Sequence, residues 1–342
     1  MLTSDGSVLT LGETMGLITG SHVGSFAHVA HAQVGIGGAE SNVAVGLVRL
    51  GVPVSWVGRV GDDSLGNRVV REIRGEGVDV RATLDPDAPT GLMLKEFRGR
   101  GTSRVSYYRA NSAGSRLNPT DVGPGVVESA SLVHLTGITP LLSDSARAAC
   151  LDVTRRARVA GVRISLDINY RPSLASADEA AEVIGELASS ADLVFGSPEE
   201  IALVSPRTPG TANETLESLL ARARNLEDDD EGIDGLVRTF DPDGRREVVV
   251  KRGPFGATSC FDGSSFIAAG HPVDVVDTVG AGDAFVAGYL SGDVQDWPID
   301  QKLTRANACG ALMCTIPGDW EASPTPEELD GFIAGGTDPV LR

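Results

Sequence analysis

The stretch Asp277-Thr-Val-Gly-Ala-Gly-Asp283, which an apolar run at 284–290 follows, is the most informative part of the chain. Two glycines around one small residue leave room for backbone N–H groups to point outward at a helix start. Such a turn binds anions, because unpaired N–H groups and the helix dipole both favour negative charge. A resting phosphate would repel Asp283, so we interpret it as a base beside a phosphoryl group in transfer. The alternative is a glycine-rich loop with an ordinary helix-starting aspartate.

Around this motif, strand-like and helix-like patterns alternate. Apolar strand-like runs lie at 8–11, 54–57, 132–135, 162–166, 193–195 and 248–250, and helical periodicity covers 39–50, 64–74, 145–160 and 177–188. This alternation is typical of an α/β fold with a mostly parallel sheet covered by helices on both faces. Residues 257–260 and 266–268 predict a hairpin with Asp262-Gly263 as its turn. Helices at about 299–314 and 326–333 follow, with Thr325 as the cap of the last one.

Two stretches alternate like antiparallel strands and have no adjoining helix: 26–34, and 91–97 with 104–108. We predict that they form a small sheet that projects over the site, a lid with its strands within about 14–36 and 90–112. Residues 1–342 are then a single domain. The exposed edge of the lid predicts a homo-oligomer that pairs through it. The acidic run at 227–234 is interpreted as a solvated loop without a catalytic role.

Composition excludes several classes of protein. The 342 residues contain 29 basic and 47 acidic side chains, a net charge of −18, which argues against a nucleic-acid partner. No apolar run approaches the ~20 residues that cross a bilayer, and the N-terminus lacks the pattern of a signal peptide. The four cysteines form neither a disulfide framework nor a zinc motif. These features predict a cytoplasmic protein with reduced thiols.

The basic residues are unbalanced: only three are lysines, and the other 26 are arginines. A GC-rich genome accounts for arginine in place of lysine, but it does not account for the acidic excess. Concentrated salt screens the self-repulsion of such a charge, so we expect a halophilic host. An ordinary acidic cytosolic enzyme is the alternative.

Polar residues that suit a ligand site lie near predicted strand ends and helix starts. The glycines of Gly35-Ile-Gly-Gly-Ala-Glu-Ser-Asn42 indicate close approach to a small ligand, although the spacing is wrong for a dinucleotide fingerprint. Asn42 either adds an amide contact or is an ordinary first-turn residue. Arg109, at the end of Tyr107-Tyr108-Arg109, has the planar fork that binds a carboxylate, but an arginine at a strand end is usually just solvated.

Three further segments follow predicted parallel strands, where open α/β sheets bind ligands. In Asp167-Ile-Asn-Tyr-Arg171, Asn169 and Arg171 are suited to phosphate oxygens. A carboxylate of Ser197-Pro-Glu-Glu200 suits magnesium held through waters, although this sequence is also a standard helix start. The glycines of Lys251-Arg-Gly-Pro-Phe-Gly256 allow a tight turn against a nucleotide, or a plain hairpin approach.

Together these segments resemble the ribokinase-like (PfkB) carbohydrate kinases over nearly the whole chain. Two signatures of that family stand in order, Gly37-Gly-Ala-Glu-Ser-Asn-Val-Ala-Val45 and the stretch 277–283. Within the family the chain is most similar to 2-keto-3-deoxygluconate kinases, on the residues at 105–116, 134–140 and 166–171. The resemblance implies a three-layer sandwich with a mostly parallel central sheet and a small β-sheet lid.

The resemblance also implies roles. Asp283 is the catalytic base, and the N–H groups of Gly280, Ala281 and Gly282 form the anion hole. The implied sugar contacts are Gly38, Asn42, Tyr107, Tyr108, Arg109, Arg171 and Asp319. The implied nucleotide contacts are Asn169, Tyr170, Arg171, Ser197, Lys251, Gly253, Gly256 and Asn307, with Glu200 linked to magnesium. Met93 stands where close relatives often carry a tyrosine, a departure that is expected to weaken discrimination between the C4 epimers of the substrate.

The resulting hypothesis is an ATP- and Mg²⁺-dependent kinase that converts 2-keto-3-deoxygluconate to its 6-phosphate in an Entner–Doudoroff-type pathway. One alternative is a family member that acts on a neutral sugar such as fructose or ribose. A second is a sugar-binding regulator that kept the fold and lost the chemistry, against which the intact Asp283 and glycine turn count.

Overall fold

Thirteen strands and ten helices form in the part of the chain that the computed structural model describes, residues 6–99, 102–206 and 215–335. The strands are β1 (Val8–Leu11), β2 (Met15–Gly20), β3 (Ala32–Gly37), β4 (Val54–Gly61), β5 (Asp79–Asp85), β6 (Leu92–Gly99), β7 (Thr102–Tyr108), β8 (Leu132–Thr136), β9 (Arg163–Asp167), β10 (Leu193–Gly196), β11 (Glu247–Lys251), β12 (Ala257–Phe261) and β13 (Ser264–Ala268). The helices are α1 (Ala39–Arg49), α2 (Ser64–Gly75), α3 (Asp144–Ala160), α4 (Ala177–Ala188), α5 (Pro198–Val204), α6 (Leu216–Ala223), α7 (Asp230–Phe240), α8 (Ala281–Asp293), α9 (Ile299–Met313) and α10 (Pro326–Ile333).

The main sheet has nine strands in the order β13-β12-β11-β10-β9-β8-β1-β4-β5. Its seven strands from β11 to β5 pair in parallel, whereas β12 pairs antiparallel with both β11 and β13. Asp262 and Gly263 both have positive φ at the hairpin turn, as the Asp-Gly pair predicts. The parallel strands therefore all end at one edge, which carries Glu13, Asp167 and Lys251 at or just beyond strand ends.

Helices cover both faces of this sheet, which confirms the predicted ribokinase-like α/β fold. Side chains of α3, α4, α5, α6 and α7 complete the buried apolar layer on one face. Those of α1, α2, α8 and α9 complete the layer on the other face. Helix α8 is buried along residues 283–293, because it lies against the sheet and is covered by α9. The ring of Phe195 meets those of Phe285 and Tyr289 edge to face at 6.4 and 5.3 Å, which fixes α8 against β10.

The predicted lid is a four-stranded sheet in the order β3-β2-β6-β7, whose strands lie within 15–37 and 92–108. Strand pairs β2–β3 and β6–β7 are antiparallel, whereas β2 and β6 are parallel. One detail of the prediction is wrong, since residues 26–31 form no strand and β3 begins at Ala32. The second strand here is β2, whose residues Met15 and Leu17 pack with Met93 in a small apolar cluster.

The acidic run at 227–234 is a second correction. Residues 230–234 form the first turn of α7, and the side chain of Asp229 accepts a hydrogen bond from the Gly232 N–H group as the helix cap. Acidic residues favour a helix N-terminus, and α7 buries Ile233 and Phe240 on one face. Residues 227–229 are therefore an exposed turn, as the prediction of a solvated loop requires, whereas residues 230–234 begin a packed helix. Among residues 6–99, 102–206 and 215–335, no helix combines the length and the apolar character that crossing a membrane requires.

Candidate active site

A cavity of about 610 Å³ opens at the carboxyl edge of the main sheet, between this edge, the start of α8 and the lid. It brings together side chains from both halves of the sequence, as the position of the predicted residues at strand ends and helix starts suggested. The predicted site residues that line it are Gly38, Asn42, Tyr107, Arg109, Asn169, Arg171, Glu200, Lys251, Gly280, Gly282, Asp283 and Asp319.

Seven predicted residues do not line this cavity: Tyr108, Tyr170, Ser197, Gly253, Gly256, Ala281 and Asn307. Tyr108 is 62% exposed, because alternate residues of β7 point away from the cavity. The Ser197 hydroxyl accepts a hydrogen bond from the Glu200 N–H group and so caps α5. Asn307 donates to the carbonyls of Ala268 and Ala269, in the segment that Gly256 also approaches. Gly256 and Asn307 thus both lie, buried, beside the end of β13.

The glycine turn begins α8. Gly280 has φ +79°, and a Cβ atom there would lie 2.0 Å from the Asp319 carbonyl oxygen, so both the backbone angle and the close approach require glycine. The Ala281 N–H group donates to the Thr278 carbonyl at 3.3 Å. No backbone acceptor for the N–H groups of Gly280 and Gly282 is found among the described residues. Both glycines line the cavity, where such groups suit an anion.

Asp283 lies in the first turn of α8 and is only 8% exposed. The Asn42 amide, from α1, donates a hydrogen bond of 2.8 Å to one of its carboxylate oxygens. Burial raises the pKa of Asp283 to about 7, and Asp167 adds to this rise, whereas Asn42, Arg171 and Lys251 oppose it. A carboxylate with this pKa exchanges a proton readily near neutral pH, which is what a general base requires. Of the two interpretations of Asn42, the structure therefore supports a role in the site.

A cluster of buried charged side chains lies near Asp283. The Lys251 ammonium group contacts both oxygens of Asp167 at 2.7 and 2.9 Å, and Asn169 donates to the same carboxylate at 3.3 Å. Burial disfavours the charged form of Lys251, but the carboxylates of Asp167 and Glu200 outweigh this effect, so its pKa is raised. Lys251 therefore keeps a positive charge at the wall of the cavity. Asp167 holds this ammonium group in place, a role that the sequence left unassigned.

Glu200 is the predicted magnesium-linked residue. Its two oxygens accept the N–H groups of Tyr170 and Ser197, each at 2.8 Å, and burial raises its pKa, although Lys251 opposes the rise. Among the described residues, no group of three or more His, Cys, Asp or Glu side chains can hold a metal ion by itself. Mg²⁺ at phosphoryl-transfer sites keeps several waters and binds few protein carboxylates. Glu200, with its remaining lone pairs at the cavity wall, fits a contact through water.

At the lid side of the cavity, Arg109 is held by an acidic partner that sequence reasoning missed. Its Nε atom donates to Glu13 at 2.7 Å, and Ser112 donates to the other oxygen of Glu13. The guanidinium group also lies 5.8 Å from the Tyr107 ring centroid. The Arg109 side chain is 11% exposed, so it is not the solvated strand-end arginine of the alternative interpretation. Glu13 lies two residues beyond the end of β1, and this position near a strand end was the signal available for it.

Two other cavity-side residues were also missed. Glu40 is fully buried at the start of α1, accepts the hydroxyls of Thr136 and Thr139, and has a pKa raised by burial. Lys95 on β6 is fully buried on the same side of the lid as Met93, which lines the cavity. A lysine at an inward-facing position of an amphipathic strand was the signal that sequence reasoning did not use.

This geometry agrees with comparisons to known proteins. The model of the family described as pfkB family carbohydrate kinase matches residues 6–326. The chain belongs to the pfkB family of carbohydrate kinases.

Two relatives within the family are similar along nearly their whole length. A 2-dehydro-3-deoxygluconokinase of Bacillus subtilis is 36% identical over 95% of both chains. A 2-dehydro-3-deoxygalactonokinase of Haloferax volcanii is 31% identical over 96% of this chain and 97% of its own. Among solved structures, an Escherichia coli protein named as a ribokinase II, in complex with ATP and Mg²⁺, superposes with a TM-score of 0.82 at 26% identity, over 96% of this chain and 99% of its own. The carbohydrate-kinase prediction is therefore confirmed.

Proposed function

We propose that this chain uses ATP and Mg²⁺ to phosphorylate 2-keto-3-deoxygluconate on its C6 hydroxyl, in an Entner–Doudoroff-type pathway. One observation carries the proposal: Asp283 lies beside the glycine turn in a cavity that also contains two arginines, Arg109 and Arg171. The names of the Bacillus and Haloferax relatives, both kinases of 2-dehydro-3-deoxy sugar acids, support the choice of a sugar acid.

The proposed chemistry needs a base and a set of positive or dipolar groups. The Asp283 carboxylate takes the proton of the C6 hydroxyl, whose oxygen forms a bond to the γ-phosphorus while the bond to the ADP oxygen breaks. The N–H groups of Gly280 and Gly282 and the ammonium group of Lys251 stabilise the charge on the transferring phosphoryl group. Mg²⁺, when bound, neutralises charge on the phosphates, with Glu200 oriented toward it through water. Asn42 holds the base in place through its 2.8 Å hydrogen bond.

The nucleotide is proposed to extend from this centre along the surface formed by Gly253, Gly256 and Asn307. Gly256 and Asn307 both approach the segment at 268–270, next to the end of the main sheet where Lys251 lies. This arrangement leaves the lid half of the cavity for the sugar. Gly38, Tyr107, Arg109, Arg171 and Asp319 are the proposed contacts there.

An acidic substrate fits the positive charge that Arg109 and Arg171 bring to the cavity. Glu13 pairs with the Nε and Nη2 atoms of Arg109, which leaves Nη1 of this cavity-lining side chain for a ligand, and Arg171 adds a second positive charge. Two arginines can pair with a carboxylate in a site that excludes water. A neutral sugar such as fructose or ribose, the alternative substrate, would offer no negative charge to Arg171 or to the Nη1 atom of Arg109.

Met93 lines the cavity and is 5% exposed. A thioether donates no hydrogen bond, so it cannot distinguish the two orientations of a C4 hydroxyl by donating to it. We therefore expect kcat/KM values for 2-keto-3-deoxygluconate and its galactonate epimer within about tenfold of each other, because a single hydrogen bond is worth roughly 1.4 kcal/mol. A preference far above this would refute the argument from Met93.

The decisive experiment is a coupled ADP-release assay over a panel that contains both epimers, fructose and ribose, with and without Mg²⁺. The proposal predicts turnover of the sugar acids at kcat/KM values well above those of the neutral sugars. Asp283→Asn is expected to abolish turnover while the dissociation constant of the sugar acid changes little. Turnover that survives in this variant would contradict the mechanism, and a preference for fructose or ribose would favour the neutral-sugar alternative.

A further inference from the structure

Lys95 is a lysine in the centre of the lid sheet with none of its side chain exposed to solvent. Strand β6, on which it lies, has β2 on one side and β7 on the other. Its side chain points to the same side as Met93, two residues earlier, and so toward the main domain. Burial of an ammonium group is unfavourable unless the group is paired and hydrogen-bonded. The partners of Lys95 therefore determine what it does.

The ammonium group of Lys95 contacts three groups outside the lid. It donates a hydrogen bond of 2.7 Å to the Gly318 carbonyl, lies 3.2 Å from Asp319, and forms an ion pair of 2.5 Å with Asp277. The contact between Lys95 and Asp277 is an ion pair that lacks the alignment of a hydrogen bond. A second lid residue, Ser103 on β7, donates to the other oxygen of Asp277 at 3.1 Å.

Asp277 is the first residue of the glycine turn. One of its oxygens also accepts the N–H group of Val279 at 3.3 Å, so its carboxylate shapes the turn that leads to Gly280. The glycine turn also packs against the segment that contains Asp319. The carbonyl oxygen of Asp319 leaves no room for a Cβ atom on Gly280. The lid, the glycine turn and the Asp319 segment are thus joined at one ammonium group. A shift of this group would move the N–H groups that face the transferring phosphoryl group.

Stability alone does not account for this arrangement. A buried ion pair is usually no more stable than well-packed apolar side chains of the same volume, because desolvation offsets the attraction. Here one positive charge faces two aspartates, and burial raises the pKa of Asp319 to about 6 although Lys95 opposes the rise. The geometry that results is specific, since three segments from distant parts of the chain meet at the same atom.

We propose that Lys95 is a positioning residue for phosphoryl transfer, which fixes Asp277 and hence the glycine turn against the lid and Asp319. This inference rests on the proposed function, in which the N–H groups of the turn stabilise the transition state. Lys95 itself touches no reacting atom. Its role is to hold the turn in the geometry at which those N–H groups meet the phosphoryl oxygens.

The chain contains a matched control. Lys302 on α9 is also buried and also lies between two carboxylates, Glu247 and Asp293, at 2.9 and 3.0 Å. Asp293 ends α8, the helix that the glycine turn begins, so the two lysines lie near opposite ends of one helix. Lys302→Met removes the same kind of buried charge far from the turn. The Tm and kcat of Lys302→Met therefore measure the general effect of losing a buried lysine charge.

The experiment compares Lys95→Met, Lys302→Met and the double variant Lys95→Met/Asp277→Asn, with ATP and 2-keto-3-deoxygluconate as substrates. Thermal unfolding is measured beside kcat and KM. We expect both single variants to have a lower Tm than the unchanged enzyme. Only Lys95→Met should also lower kcat, by roughly 10- to 100-fold with little change in the KM for ATP. This is the pattern expected when a group that acts in the transition state is displaced. The double variant is expected to regain part of the lost Tm, because Asp277 no longer leaves a buried charge unpaired although Asp319 still does, but not to regain kcat.

Each outcome decides the inference. Equal kcat values for Lys95→Met and Lys302→Met, both near that of the unchanged enzyme, would overturn it, as would recovery of kcat in the double variant. If Lys95→Met does not fold, the double variant alone gives the test. If the unchanged enzyme phosphorylates no sugar acid, the proposed function fails independently, and the same three variants are compared with the sugar that the panel identifies.

Discussion

At the scale of single residues, Asp283 is defined by its burial more than by its position in a motif. Burial raises its pKa to about 7, so the carboxyl group is protonated below this pH and unable to accept the proton of a hydroxyl. We therefore expect kcat/KM to fall about tenfold for each pH unit below 7 and to be level above it. A pH–rate profile checks this, and a profile that stays level down to pH 5 would contradict it.

The same pKa predicts a stability effect. A carboxyl group whose pKa is raised on folding stabilises the folded state in its protonated form, and this contribution is lost as the pH rises from the unfolded value of 3.8 to about 7. Above pH 7 the ionised Asp283 thus opposes folding, by about 4 kcal/mol at 1.36 kcal/mol per pKa unit. Asp283→Asn should gain Tm relative to the unchanged enzyme as the pH rises from 4 to 7, without a further gain above 7. Thermal melts over this range, in the absence of substrates, give the comparison.

Arg109 is the residue on which discrimination between acidic and neutral sugars is expected to depend. Arg109→Ala should lower kcat/KM for the sugar acid by about 10² or more, since a charge-assisted bond to a carboxylate contributes 1.5–3 kcal/mol and Glu13 is left unpaired. Any residual activity on a neutral sugar should fall much less. Arg104→Ala is the control, because Arg104 lies on β7, the strand that Arg109 directly follows, and is exposed. Equal losses of kcat/KM for acidic and neutral sugars would show that Arg109 has only a structural role.

At the scale of elements, the start of α8 combines two independent reasons for glycine at position 280. One is φ of +79°, and the other is the Asp319 carbonyl at 2.0 Å from any added Cβ atom. Gly161, at the end of α3, shares a positive φ of +72° but has open space around it. Gly161→Ala should therefore cost about 1 kcal/mol of unfolding free energy from the backbone angle alone. Gly280→Ala should cost more and should also lower kcat, because the turn and the Asp319 segment must move apart.

Denaturant unfolding and steady-state kinetics on both variants test this. Similar losses of unfolding free energy, with kcat unchanged in each, would show that the close approach to Asp319 is not needed. The comparison separates backbone strain from steric overlap, since only the second differs between the two sites.

At the scale of the whole molecule, a net charge of −18 predicts that stability depends on salt. Self-repulsion of like charges opposes the compact state, and salt screens it over about 10 Å at 0.1 M and 3 Å at 1 M. We expect Tm to rise between low and molar KCl, which Tm measurements along a KCl series will test. A matched NaCl series is the control for ion identity. A Tm that falls with salt would argue against a halophilic host.

The halophilic host remains a prediction. So do the cytoplasmic location, the single domain and the homo-oligomer that forms through the lid.

The sequence by itself determined the fold class and the candidate catalytic motif. Both depend on local patterns, namely the alternation of apolar strands with helices and a glycine turn at a helix start. Such patterns can be identified from residues that are neighbours in the sequence. Helix and strand positions were predicted well for the same reason, whereas the strand at 26–34 was misplaced because six of its residues lack pairing partners in the lid. Residues 230–234 were misjudged because their apolar face lies further along α7.

Only the tertiary structure decided which charges meet. Glu13 and Arg109 are 96 residues apart, Asp167 and Lys251 are 84 apart, and Lys95 and Asp319 are 224 apart, so no local pattern links them. Their pairing follows from the parallel sheet, which brings strand ends to one edge, and from the lid, which covers that edge. The pKa of Asp283 depends on the same packing, because desolvation is a property of everything that surrounds a group and not of its neighbours in sequence.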